Sequence, residues 1–180
     1  GKDTVGAVGT VTAPVSANWE GAGSSNFTFT AGAADRTSAN NDNAVTYTTD
    51  LTSDFDIVIK ARGVTTLQSN QHWWGVYATS EVSSIDDTAD NSDLQDLTDS
   101  FWVDGDGTVS WDIRYGGVDK KVITAAASSD AWRMNRTGST ITFYRNGVKE
   151  HEFTDTFSGT MTFIWCIRSG TEFIDQVQIA

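Results

Sequence analysis

Apolar and polar residues alternate with a period of two along much of this chain. Phe27 and Phe29 are spaced by threonines, and Phe55, Ile57 and Ile59 take every second place in DFDIVIKARG. Val109, Trp111, Ile113 and Tyr115 do so in TVSWDIRY, as do Met161, Phe163, Trp165 and Ile167 in the run around MTFIWCI. Val45 and Tyr47, and later Ile174, Val177 and Ile179, mark two further runs. Successive side chains of a strand point to opposite faces, so each run predicts a strand with one apolar side. In HWWGVY both faces carry rings: His72, Trp74 and Val76 share one, Trp73 and Tyr77 the other. No segment of eleven or more residues carries a helical stripe, and the single proline, Pro14, interrupts none of the runs.

The segment ITFYRNGVKEHEF predicts a hairpin, because Asn146 and Gly147 tolerate the positive φ that tight hairpin turns demand. Two registers are open. A two-residue turn pairs Arg145 with Val148; a three-residue loop with Gly147 left-handed pairs Tyr144 with Val148. About ten short strands separated by Gly, Ser, Asn and Asp clusters predict an all-β fold, a two-sheet antiparallel β-sandwich or jelly roll. At 180 residues one domain is expected, over 15–180, after an N-terminal lead-in over 1–14. Trp111, Phe163 and Trp165 are expected in its core, and Cys166, within the last long apolar run, is expected to be a buried, inert thiol.

Charge narrows the partners. Twelve basic residues against twenty-four acidic ones give a net charge of −12, and residues 63–113 contain no Lys or Arg. Such a field repels nucleic acid and anionic lipid. No apolar run is long enough to span a bilayer, so membrane insertion is not expected. The segment 81–107 holds nine acids and few strand signals before Trp102, the profile of a long functional loop.

Three stretches carry a family likeness. DAWRMNRTGSTITFYRNGVKEHEF resembles a late hairpin of the concanavalin A-like lectin/glucanase superfamily, SDFDIVIKARG an earlier strand, and FIDQVQIA the final strand that pairs back near the N-terminus. The likeness covers about residues 15–180. It implies the concanavalin A-like sandwich and a choice among sugar-binding modules, glucanases, polysaccharide lyases and laminin-G-like surface domains. A fold so widely reused says little about chemistry by itself.

The enzymatic options lack their residues. Glucanases of this superfamily set acids at alternate strand positions, and retaining enzymes need two carboxyls about 5–5.5 Å apart. None of the five glutamates begins such a pattern; Glu150 and Glu152 share a strand face but have no third acid. A lyase site would draw on Gln71, His72, Tyr144 and Arg145, which supply residue types without the family's motifs. No serine-nucleophile elbow, phosphate loop or zinc-ligand spacing is present. The chain is therefore expected not to be an enzyme.

Binding has better material. The C–H face of a sugar stacks on an aromatic ring while its hydroxyls take polar partners. Trp73 and Tyr77, on the outward face beside Gln71, are the first candidate platform, Trp102 the second and Tyr144 the third, with His151 a further polar contact. The resemblance also implies one structural Ca2+, for which Asp104 and Asp106, in a segment without basic competitors, are the candidate ligands. The expected protein is a non-catalytic carbohydrate-binding module that recognises a glycan or glycoprotein surface. It would stand alone, as a homo-oligomer or within a larger extracellular or virion-surface protein. An assembly or host-attachment domain is the alternative, and a polysaccharide hydrolase or lyase with an atypical site the third. Asn26-Phe-Thr28 and Asn135-Arg-Thr137 match glycosylation acceptors, which matters in a eukaryotic secretory route.

Overall fold

The computed structural model describes residues 19–20, 27–30, 33–36, 43–47, 50–52, 54–62, 72–81, 97–106, 110–124, 130–154, 158–167 and 173–179. Among them are fourteen strands: β1 (Trp19–Glu20), β2 (Phe27–Thr30), β3 (Ala33–Arg36), β4 (Asn43–Tyr47), β5 (Phe55–Arg62), β6 (His72–Ala78), β7 (Ser100–Asp106), β8 (Ser110–Tyr115), β9 (Val118–Ile123), β10 (Ala131–Thr137), β11 (Thr140–Arg145), β12 (Val148–Phe153), β13 (Met161–Ile167) and β14 (Phe173–Ile179). One 3-10 turn, Thr79–Glu81, follows β6. The described strands form two antiparallel sheets of seven. Sheet one runs β1-β4-β13-β6-β7-β8-β9 and sheet two β12-β11-β10-β5-β14-β3-β2.

The sheets are pressed together by the residues that the alternation marks. Trp74, Val76, Phe101, Val103, Trp111, Ile113 and Phe163 of sheet one meet Ile57, Ile59, Trp132, Met134, Ile141 and Phe143 of sheet two in one core. Trp74 sits at its centre, with ring centres 6.3 Å from Trp132, 6.3 Å from Phe143 and 6.4 Å from Phe163. Trp111 and Phe163 are core residues as expected, while the side chains of Trp165 and Cys166 lie outside those described.

Turn chemistry sets the registers. Asn146 (φ 51°) and Gly147 (φ 79°) form a two-residue turn that pairs Arg145 with Val148, which decides between the two hairpin registers. Both positive φ values match the turn whose twist suits flanking strands. The tip is tied to the start of β10: Asn146 Nδ2 donates to Asp130, and Ala131 N–H donates to Asn146 Oδ1 at 2.9 Å. The turn over residues 136–139 is tied down by side-chain hydrogen bonds as well. Gly138 turns β10 into β11 at φ 59°, and the buried Arg136 donates to the carbonyls of Gly138 (3.0 Å) and Gly159 (2.8 Å).

One lateral edge of the sandwich is closed by a matched pair of irregularities. The β8–β9 register slips so that Lys120 is the extra residue, and the β11–β12 register slips so that Glu150 is. Bulges bend a strand and re-aim its side chains. Here Lys121 of sheet one donates to the carbonyl (2.7 Å) and carboxylate (2.8 Å) of Glu150 in sheet two. Arg145 reaches the other Glu150 oxygen at 2.9 Å and Asp130 at 3.2 Å. Burial alone would raise Glu150, but these hydrogen bonds and charges outweigh it and hold the carboxyl below its ordinary value.

Candidate functional site

The outward face of sheet one differs from its expected role. Trp73 and Trp102 have no exposed surface and Tyr77 is 1% exposed, so none of the three is a solvent-facing platform. They are outward by alternation, since Trp74, Val76, Phe101 and Val103 point into the core. The face is nonetheless sealed, with Ile164, Ser100, Thr162, Asp104 and Asp112 also buried. Trp73 and Trp102 pack edge to face at 6.3 Å. Gly75 makes the space: a Cβ there would lie 2.4 Å from both the Trp102 Cβ and the Phe101 carbonyl oxygen. Trp102 Nε1 donates to the Gly116 carbonyl at 3.0 Å, and the Arg114 guanidinium lies 4.9 Å from the Trp102 ring centre. The sequence signal for this second layer is HWWGVYA itself, because a near-continuous apolar run marks a strand buried on both faces.

The candidate calcium ligands change context as well. Asp104 faces Asp112 across β7–β8, and Arg114 places Nη2 3.7 Å from Asp104 and 3.6 Å from Asp112. The stretch without basic residues ends one position before Arg114, and the hairpin folds that arginine back between the acids. The premise that basic competitors are absent therefore fails at Asp104. The side chains of Asp106 and His72, and all of Gln71, lie outside the described residues. Among the described residues no three His, Cys, Asp or Glu side chains gather as a metal site.

Glu150 and Glu152 do not form the paired face that strict alternation predicts. The bulge gives Glu150 to Lys121 and Arg145, while Glu152 accepts from Lys149 at 2.6 Å and Thr142 at 3.2 Å. His151 is half-buried against Phe153, ring centres 4.6 Å apart. Burial, then the nearby Lys121 and Lys120 charges, push its pKa down against the pull of Glu152. The glycosylation match at Asn135 falls inside β10 between β5 and β11. Its Nδ2 donates to the Phe55 carbonyl at 3.2 Å, unlike an acceptor in a surface loop. The match at Asn26 falls outside the described residues.

Tyr144 is the candidate ring that stays accessible. It is half-buried on the outward face of sheet two, in a cross-strand row with Val58, Arg133 and Lys149. The Arg133 guanidinium lies 5.1 Å from its ring centre and is clamped by Asp56, with Nε 2.7 Å from one carboxylate oxygen and Nη2 2.5 Å from the other. A guanidinium so placed attracts the ring electrostatically and fixes its orientation. The adjacent row is Asp56, Asn135, Thr142 and Glu152. Across β5, β10, β11 and β12 the described side chains of these two rows form a polar face with one aromatic ring, Tyr144.

The two sheets and their order define a class by fold: this chain has a concanavalin A-like jelly-roll fold. Several solved structures resemble it. The carbohydrate recognition domain of Emp47p aligns at TM-score 0.58 and 12% identity, covering 96% of this chain and 91% of that one. Carbohydrate binding module CBM66 from Bacillus subtilis aligns at TM-score 0.52 and 9% identity, covering 90% and 94%. The SPRY domain of human HERC1 aligns at TM-score 0.56 and 12% identity, covering 91% and 96%. No protein-family model and no curated protein matches the sequence. At these identities the likeness is one of fold.

Proposed function

We propose that this protein is a non-catalytic carbohydrate-binding module whose ligand lies on the outward face of β5, β10, β11 and β12. The reading is carried by Tyr144: its ring is accessible, pinned by Arg133 and surrounded by hydrogen-bonding groups. The ring offers a surface for the C–H face of a sugar, while Asn135, Asp56, Glu152 and Lys149 are placed for hydroxyls. Fold neighbours that include a carbohydrate recognition domain and a carbohydrate binding module support the reading. Such a module would work outside the cell or on a virion surface. The test is a glycan array probed with the parent protein and Tyr144→Ala. The expected result is loss of the parent's hits in a variant of unchanged thermal stability; retained hits would remove Tyr144 from the site.

One observation favours a second reading, assembly through the closed lateral edge. Val118 (57%), Val122 (55%) and Val148 (63%) are the large apolar side chains left exposed among the described residues, and they lie on β9 and β12. Both strands carry bulges and lysines, devices that oppose strand-to-strand addition, so we rank this second. A monomer by sedimentation at high concentration would end the assembly reading.

A further inference from the structure

We infer that the Tyr144 face takes an uncharged linear polysaccharide laid across the strands and read along its interior, rather than a terminal sugar or an acidic glycan. This rests on the glycan-binding reading of the same face and adds the ligand's charge, orientation and length.

Charge comes first. Both cations that flank the ring are already committed: Arg133 to Asp56 by a two-point fork, and Lys149 to Glu152 at 2.6 Å. A uronate or sulfate arriving here would have to share each cation with a carboxylate already bonded to it. It would also approach a chain of net charge −12. The resident carboxylates would then stand beside the incoming anion and repel it. A sugar hydroxyl brings no such repulsion. It can donate to a remaining carboxylate lone pair or accept from the lysine without breaking either ion pair.

Orientation follows from the register. Asp56, Asn135, Thr142 and Glu152 are cross-strand neighbours in one line, and Val58, Arg133, Tyr144 and Lys149 are neighbours in the next. Each line crosses β5, β10, β11 and β12. Strands stand about 4.8 Å apart, so the span is about 14 Å, longer than one or two sugar rings. The two lines lie on the outward face of a sheet, and the bulge beside Tyr144 leaves Lys149 directly opposite the ring. Among the described residues nothing in this ladder encloses a chain end. A pocket for a terminal sugar needs walls on several sides, whereas a ladder of polar groups with one central ring suits repeated contacts along an extended chain.

The distinguishing experiment is calorimetric titration of the whole protein with neutral oligosaccharides of two to six sugars (cello-, xylo-, manno- and laminari- series) and with hexamers of galacturonate and mannuronate. One neutral series should bind, with affinity rising at least tenfold from the disaccharide to the tetra- or pentasaccharide and then levelling. The uronate hexamers should fail to bind or compete. Tyr144→Ala should lower hexasaccharide affinity at least tenfold, and Asp56→Asn should let uronate hexamers compete by freeing Arg133. Equal affinity for di- and hexasaccharide, or tighter binding of a uronate hexamer by the parent protein, overturns this inference while leaving glycan binding in place. Binding that survives Tyr144→Ala, or no binding across every series, overturns the underlying reading as well.

Discussion

The outward faces of the two sheets both carry aromatic rings, and the rings reach opposite ends. Sheet one presents Trp73, Tyr77 and Trp102 at outward positions, yet all three are sealed. On sheet two, in the rows across β5, β10, β11 and β12, Tyr144 stays partly exposed among charged neighbours. The difference lies in what stands beside each ring: a glycine that makes room for close packing on sheet one, and partly exposed paired charges on sheet two. Large rings at outward positions are thus poor evidence of a binding platform unless their cross-strand neighbours are polar and solvated.

The comparison is most easily broken at Trp102. Trp102→Ala should destabilise the protein by about 3–5 kcal/mol, a fall in Tm of roughly 10 °C, because it opens a cavity in a packed layer. A wild-type melting curve for this variant would mean the ring is in fact solvent-facing. Gly75→Ala is the next step down. Its Cβ would meet the Phe101 backbone oxygen and Trp102, neither free to move, so a loss of about 1–3 kcal/mol is expected by denaturant unfolding. Full stability would show that Trp102 does not lie across Gly75.

A smaller effect comes from the edge that joins the sheets. The folded state depresses His151 below its ordinary 6.5, so below about that pH the unfolded chain binds more protons and stability declines. Glu150, also depressed, contributes stability that is present above the ordinary carboxylate value and lost as pH falls through its lowered one. Calorimetry between pH 8 and pH 3 should show two successive losses. His151→Gln should remove only the first; an unchanged first step would assign it elsewhere. Smallest of all is the stability change in Tyr144→Ala, expected within about 0.5 kcal/mol, since the ring is half-buried on a surface. A larger loss would make Tyr144 a packing residue like Trp102.

Much of the fold was legible because burial on one face leaves a period-two trace. The core strands β5, β8, β11 and β13 carry that trace. The strands not anticipated are β1, β3, β9 and β10, each for a physical reason. β1 and β3 span only two and four residues. β9 reads VDKKVI, where an edge position and a bulge break the alternation. In β10 the third inward residue is Arg136, a buried cation satisfied by carbonyls, so a polar letter sits where the pattern wants an apolar one. The site was less legible. Alternation assigns Trp73 and Trp102 correctly to the outward side, but it cannot report what covers that side. It likewise cannot foresee that Arg114, one residue past a stretch without Lys or Arg, folds back between Asp104 and Asp112. The register of the Asn-Gly turn was open until the positive φ at both residues fixed it, and with it the bulge that separates Glu150 from Glu152.

The claim that everything else depends on is that ligand meets the protein on sheet two. Backbone amide chemical-shift mapping during titration with a neutral hexasaccharide tests it directly. Shifts concentrated at Asp56, Arg133, Asn135, Tyr144, Lys149 and Glu152 are the predicted result. Shifts concentrated instead at Trp73, Gly75, Trp102 and Arg114 would contradict it.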